Sequence, residues 1–178
     1  MKIIVISYSF TGNNEALANS IAAEFTADHI KITEPKPRTM GAIIFDILLN
    51  RTPQVNPIAV KVEDNDLVLF VGPVWLGQVA SPFRSCFKQL QARLGRFAFI
   101  SISGGALGPN PKLVGELNKR IGKKPATLID LQIADLLPSN PKPTMKDTSA
   151  YRLSDRDVKN LTNVVVKTLR ETMALKGE

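Results

Sequence analysis

The sequence predicts an α/β fold, a three-layer doubly wound parallel sheet of five strands, in a single domain over residues 1–178. Short unbroken apolar runs recur along the chain, as expected of strands buried on both faces of a sheet. Between them lie stretches whose apolar residues fall three or four positions apart, the period of a half-buried helix. The runs stop at Gly, Pro or Ser, the residues that punctuate elements. Alternating strands and helices imply parallel pairing with right-handed crossovers, and ligands in such sheets sit beyond the carboxyl ends of the strands.

Each element is justified in turn. Residues 2–6 form a β-branched run and read as the first strand. Leu17, Ile21 and Phe25 make one apolar stripe over a helix at 13–26. Residues 29–33 alternate and read as a short second strand, and 39–48 as a helix capped by Thr39, with Ile43, Ile44, Ile47 and Leu48 apolar. A third strand covers 66–71, and a helix over 82–93 turns Phe83, Phe87 and Leu90 inward. The fourth strand is 97–101, followed by a helix at 111–121 that Gly122 stops, and the fifth is 126–133. A long amphipathic helix closes the chain, with Ser154 as N-cap, Asp157 three residues on, and Val158, Leu161, Val165, Leu169 and Met173 inside. The Pro-rich stretches 34–38 and 138–144 read as surface loops.

Composition narrows the function. With 44% hydrophobic and 22% charged residues the chain is that of a globular protein. Its longest apolar runs, near 43–49 and 66–71, fall well short of the roughly 20 residues of a membrane span. The N-terminus lacks the pattern of a signal peptide, and a cytoplasmic location is expected. The lone Cys86 allows neither an internal disulfide nor a cysteine-based metal cluster. It sits inside a helix rather than in a phosphate loop, with Ala92 six positions on, so cysteine phosphatase chemistry is not expected. The net charge of +7 arises from scattered basic residues without a nucleic-acid-binding signature. Nucleic acid and membrane are therefore not expected partners. The single histidine, His29, is expected to stand away from the candidate loops, which argues against a Ser-His-Asp hydrolase. The carboxylates offer no acid–base pair or metal spacing.

Three loops after strands one, three and four carry the chemistry. In the first, Ser9, Phe10, Thr11, Gly12, Asn13 and Asn14 precede a helix. Their hydroxyls and amides, with the free N–H groups and positive dipole end of that helix, suit a phosphate, although helix capping alone accounts for such a loop too. This stretch resembles the phosphate loop of the flavodoxin family, Ser/Thr-x-Thr-Gly-x-Thr or Asn, with Asn14 in place of the commoner Thr. The second loop holds Pro73, Val74, Trp75, Leu76, Gly77 and Gln78, with Gly72 before them. The glycines let backbone approach a ligand, and the only Trp offers a flat face for a flat ring. Alternatively, Trp75 plugs the end of the sheet. The segment resembles the Gly-x-Pro-Val-Trp-x-Gly stretch of flavodoxin-like proteins, which implies backbone contacts from residues 74–78 to an isoalloxazine ring. In the third loop, Ser103, Gly104 and Gly105 make a nest of N–H groups for ring or ribityl oxygens, or simply a flexible turn.

The resemblance implies a flavodoxin-like strand order, 2-1-3-4-5, and flavin mononucleotide (FMN) as cofactor. It departs from many flavodoxins in lacking an aromatic residue in the third loop, so the second face of the ring would be covered by Leu107, Leu76, residues near 40–45, or a second subunit of a homodimer. Three activities are open: an electron carrier acting on a redox partner protein, an FMN-dependent reductase of a small substrate such as a quinone with NAD(P)H as donor, and a flavin-free interaction module. The long connection 34–65 resembles the insertion of flavodoxin-like reductases and would make a wall or lid, or else merely extra packing. None of the three loops contains Asp or Glu. A carboxylate about 8 Å from the ring, at an effective dielectric near 20, would disfavour its anionic reduced form by roughly 2 kcal/mol, on the order of 80 mV for one electron. A higher potential than that of acidic flavodoxins is therefore expected.

Overall fold

A computed structural model describes residues 2–59, 61–63 and 66–173. Five parallel strands make the central sheet: β1 (Ile3–Ser7), β2 (Asp28–Lys31), β3 (Leu67–Val71), β6 (Arg96–Ser103) and β7 (Thr127–Gln132). Two more, β4 (Val74–Trp75) and β5 (Gln78–Val79), form a small antiparallel hairpin between β3 and the next helix. The sheet order is β2-β1-β3-β6-β7. Counting only its own strands, this is the expected 2-1-3-4-5, with the order reversing between β1 and β3.

Strands β1 and β3 are apolar on both sides because helices cover both faces. On one face α1 (Asn13–Glu24) and α6 (Asp155–Met173) pack through Leu17, Ile21, Leu161, Val165, Leu169 and Met173 onto Val5, Leu69 and Ile100. On the other, α3 (Pro82–Leu90) and α4 (Leu113–Ile121) pack through Phe83, Phe87, Leu113 and Leu117 onto Ile4, Phe70 and Phe99. Each such side chain fully withdrawn from water contributes about 1.5–3 kcal/mol before entropy is counted. Phe70 is ringed edge-on by Phe83, Phe87 and Phe97, which locks α3 to the sheet. Cys86 is buried inside α3, and burial pushes its thiol pKa up, so it is an inert core residue. The predicted cap of α6 is present: Asp157 N–H donates to Ser154 Oγ at 3.2 Å, and Ser154 N–H donates to the Asp157 carboxylate at 2.9 Å. No described helix is long and apolar enough to cross a membrane.

Several expectations need correcting. The stretch 34–38 is not a plain surface loop: the Glu34 and Arg38 side chains are almost wholly buried against each other. Beyond the second Pro-rich stretch lies a further short helix, α5 (Met145–Ala150), whose Thr144–Asp147 capping box makes it helical without an apolar stripe to announce it. The helix α2 (Met40–Leu48) is capped by Thr39 as predicted, but only Ile43 and Asp46 are buried, while Ile44 and Leu48 face solvent.

Candidate functional site

The first loop joins β1 to α1 at the point where strand order reverses. Gly12 takes a left-handed conformation (φ 92°), and a Cβ there would meet nothing within 4 Å. No side chain caps α1. Its first-turn N–H groups therefore point outward without an intrahelical partner, which is the arrangement that binds anions. Ser9 Oγ accepts the Gly12 N–H at 3.0 Å, so its own proton is free to be donated outward. The half-buried Thr11 adds a second hydroxyl.

The expected role of the Asn13 and Asn14 side chains is overturned. Both residues are buried. Asn13 Nδ2 donates to the Tyr151 carbonyl at 3.0 Å, and its Oδ1 accepts the Leu153 N–H at 3.1 Å. Asn14 bridges the N–H and carbonyl of Ile102 at 3.0 and 2.9 Å. These amides are engaged with backbone groups of Ile102, Tyr151 and Leu153, and they fix the loop rather than face a ligand. What remains for a phosphate is the helix terminus and the hydroxyls of Ser9 and Thr11.

The second loop turns at Leu76 and Gly77, both at positive φ (49° and 76°). Two consecutive left-handed residues make the tight turn that suits the twist of a hairpin. A Cβ on Gly77 would enter open space, so it is the positive φ of the turn, not crowding, that calls for glycine there. Gly72 does something else: a Cβ there would lie 2.2 Å from the Phe83 ring, so it is glycine for packing and not for ligand approach. Trp75 is half-buried. It packs on the core beside Tyr8 (5.9 Å between centroids, 85°) and stands perpendicular to the exposed Phe10 (6.3 Å, 88°). Through these contacts the first and second loops form one surface. The Gln78 side chain accepts from Arg84 at 2.7 Å, and its backbone pairs with that of Trp75 in the hairpin. Pro73 and Val74 are buried, and the Pro73 carbonyl closes the hairpin by accepting the Ala80 N–H.

In the third loop the glycines are explained by neighbours. A Cβ on Gly105 would come 2.5 Å from Gln132 Cβ, and one on Gly104 would come 2.9 Å from Thr148 Oγ1. Helix α5 and the end of β7 thus press against this loop from behind and shape it; it is not a flexible turn. Ser103 is buried as the last residue of β6. Leu107 and Leu76 are both exposed.

Behind the site runs a polar network that the sequence did not reveal. Tyr8 Oη donates to Glu34 at 3.0 Å, Arg38 pairs with both Glu34 and Asp46, and Ser81 Oγ donates to Asp46 at 3.1 Å. Burial disfavours the Arg38 charge, but the hydrogen bonds of Glu34 and Asp46 outweigh it and push its pKa up. Burial, then the Glu34 charge, raises the Tyr8 pKa, so its hydroxyl stays protonated as a donor.

His29 also departs from expectation. The β1–β2 register sets Val5 opposite His29, and the imidazole reaches Ser7 Oγ at 2.8 Å, directly beneath the first loop. Its other nitrogen meets Asn19 Oδ1 at 2.8 Å and so carries the proton, while Nε2 accepts from Ser7. Beside this pair a cavity of about 320 Å³ opens between the first loop and residues 31–38.

The chain therefore has the flavodoxin-like fold. Among solved structures it resembles the flavoprotein of Lactobacillus acidophilus NCFM, crystallised in complex with FMN, with a TM-score of 0.64 at 21% identity over 72% of this chain and 92% of that one. A protein assigned as a flavoprotein from Bacteroides eggerthii DSM 20697 matches over 93% of this chain and 98% of its own, with a TM-score of 0.56 at 15% identity. A third, from Bacteroides uniformis ATCC 8492, gives a TM-score of 0.54 at 14% identity over 76% of this chain and 94% of its own. No protein-family model and no curated protein sequence matches the chain.

Proposed function

We propose that the protein binds FMN non-covalently and uses it for redox chemistry, exchanging electrons with a redox partner protein or a small substrate such as a quinone. The observation that carries this is the uncapped α1 terminus, opened by a left-handed Gly12 and joined through Phe10 to Trp75 and the bare turn at Gly77. A doubly charged monoester fits the first feature and a flat tricycle the second. Ser9 and Thr11 would donate to the phosphate. Backbone of Val74–Gln78 would hold the ring edge, and the N–H groups of Gly104 and Gly105 would face its oxygens. Bound FMN supplies one- and two-electron chemistry; the protein contributes orientation and electrostatics.

Those electrostatics favour a raised potential. Glu15, in the first turn of α1, is paired with Lys31. The buried carboxylates Glu34 and Asp46 share Arg38, and a second guanidinium, that of Arg84, is bound to the Asp46 carbonyl beside them. A redox titration is expected to give a less negative potential than those of acidic flavodoxins, which suits quinone-type reduction.

The only Trp reports binding directly. Titrating FMN into the apoprotein is expected to quench Trp75 emission to a one-to-one endpoint, and riboflavin, lacking the phosphate, should bind far more weakly. Unchanged emission together with no retained yellow colour would overturn the assignment. Stopped-flow mixing of the holoprotein with NADH or NADPH separates a reductase, bleached rapidly, from a carrier, which is not.

A further inference from the structure

Helix α2 is inside out. Its one carboxylate, Asp46, is buried, while Met40, Ile44, Phe45, Leu48 and Leu49 face solvent, the last two 75% and 58% exposed. Of the apolar side chains of the helix only Ile43 is buried, and polar bonds do the rest of the holding. Asp46 is gripped by Arg38 and Ser81, and Arg84 donates to the Asp46 carbonyl at 3.1 Å and to the Arg51 carbonyl. Arg84 also holds Gln78 of the hairpin, so the apolar face is fixed relative to the candidate ring site. Five contiguous exposed apolar side chains on a fixed helix mark an interaction surface.

The surrounding charge indicates the occupant. From residue 35 to 59 the only acidic residue is the buried Asp46, whereas Arg51, its guanidinium 5.1 Å from the Phe45 ring, stands at the end of the patch. The basic end of α4 adjoins it, where Arg120 donates to Asn50. Between residues 67 and 129 the chain carries nine Lys and Arg against a single acid, Glu116, itself paired with Arg120. We propose that this face docks an acidic redox protein, which exchanges electrons with the flavin beside it. The proposal rests on the FMN reading above. A second copy would bring two positively charged layers together, which electrostatics opposes. Helices that lie in a membrane surface carry Lys and Arg on their polar face; the polar face of α2 carries Asp46 and is turned into the protein. In each productive encounter one electron leaves the reduced partner, which is oxidised, and enters the bound flavin, which is reduced. Two encounters, with protons from solvent, complete the two-electron reduction.

The test uses FMN-loaded protein mixed in stopped flow with a reduced acidic [2Fe–2S] ferredoxin. The second-order rate constant is expected to fall about tenfold or more between low and high salt, as steering by opposite charges requires. Arg51→Glu and the double change Leu48→Ser with Leu49→Ser should each lower the low-salt constant about fivefold or more by losing that steering or contact. Both should leave the Trp75 quench by FMN intact. Overturning results are a salt-independent rate, unaffected variants, a dimer in sedimentation that the double change abolishes, or co-sedimentation with phosphatidylglycerol vesicles that the same change abolishes. A chain that takes up no FMN fails earlier, at the quench, and removes the reading on which this proposal rests.

Discussion

Helices α1 and α2 each follow a strand of the sheet, β1 and β2, yet they are built on opposite terms. α1 buries its apolar stripe through Leu17 and Ile21 and is tied down by two buried asparagines. α2 buries a carboxylate and turns its apolar residues outward, held by an arginine on each side. Periodicity reveals that a stretch is helical, but which side faces inward depends on the strongest partner available. For α1 that is the sheet; for α2 it is Arg38 and Arg84.

Substitutions can sharpen this contrast or break it. The largest effect is expected at Asp46, where Asp46→Ala leaves the buried Arg38 with only Glu34 and Ser81 without its acceptor. About 3–5 kcal/mol should be lost in urea unfolding, with hydrogen exchange rising first in residues 38–51. Next comes Asn14→Ala, which strands the N–H and carbonyl of Ile102 and should cost about 2–4 kcal/mol. If Asp46→Ala proves silent while Asn14→Ala does not, α2 is held by something other than its charges. Gly72→Ala drives a methyl into the Phe83 ring and should cost about 1–3 kcal/mol by the same measurement, with little direct effect on FMN affinity. At Leu76 the expected sign is reversed: Leu76→Asn relieves a left-handed residue and should raise stability by about 1 kcal/mol or less.

The smallest effect is a pH dependence at His29, whose pKa is lowered from 6.5 by burial and then by the Lys31 charge. The unfolded chain takes up the proton first. Stability from the neutral imidazole is therefore complete above pH 6.5 and is lost as pH falls below that toward the folded-state value. His29→Gln should flatten the drop in melting temperature between about pH 7 and pH 5. No other histidine titrates in that window.

The sheet and four of its flanking helices were legible because their signals are local and redundant, as with Ile3–Ile6, Leu67–Val71 and the Ser154–Asp157 cap. The positions of Ser9, Gly12 and Trp75 were legible because each follows a strand end. Side-chain destinations were not. Nothing local to Asn13 shows that Tyr151 will lie against it, and the Glu34–Arg38–Asp46 set looks like ordinary surface charge until the connection folds back over Ser81. The hairpin strands are two residues each, too short for any period to register. Thr148 and Gln132, which dictate the glycines of the third loop, come from segments with no chemical mark.

The clasp between Asn13 and the Tyr151–Leu153 backbone closes a span of about 140 residues. During synthesis, the first loop emerges long before the chain that will fix it. Its shape is thus completed only once residues 151–153 have been made, and a chain truncated ahead of residue 151 should keep all five strands of the sheet yet lack a competent cradle.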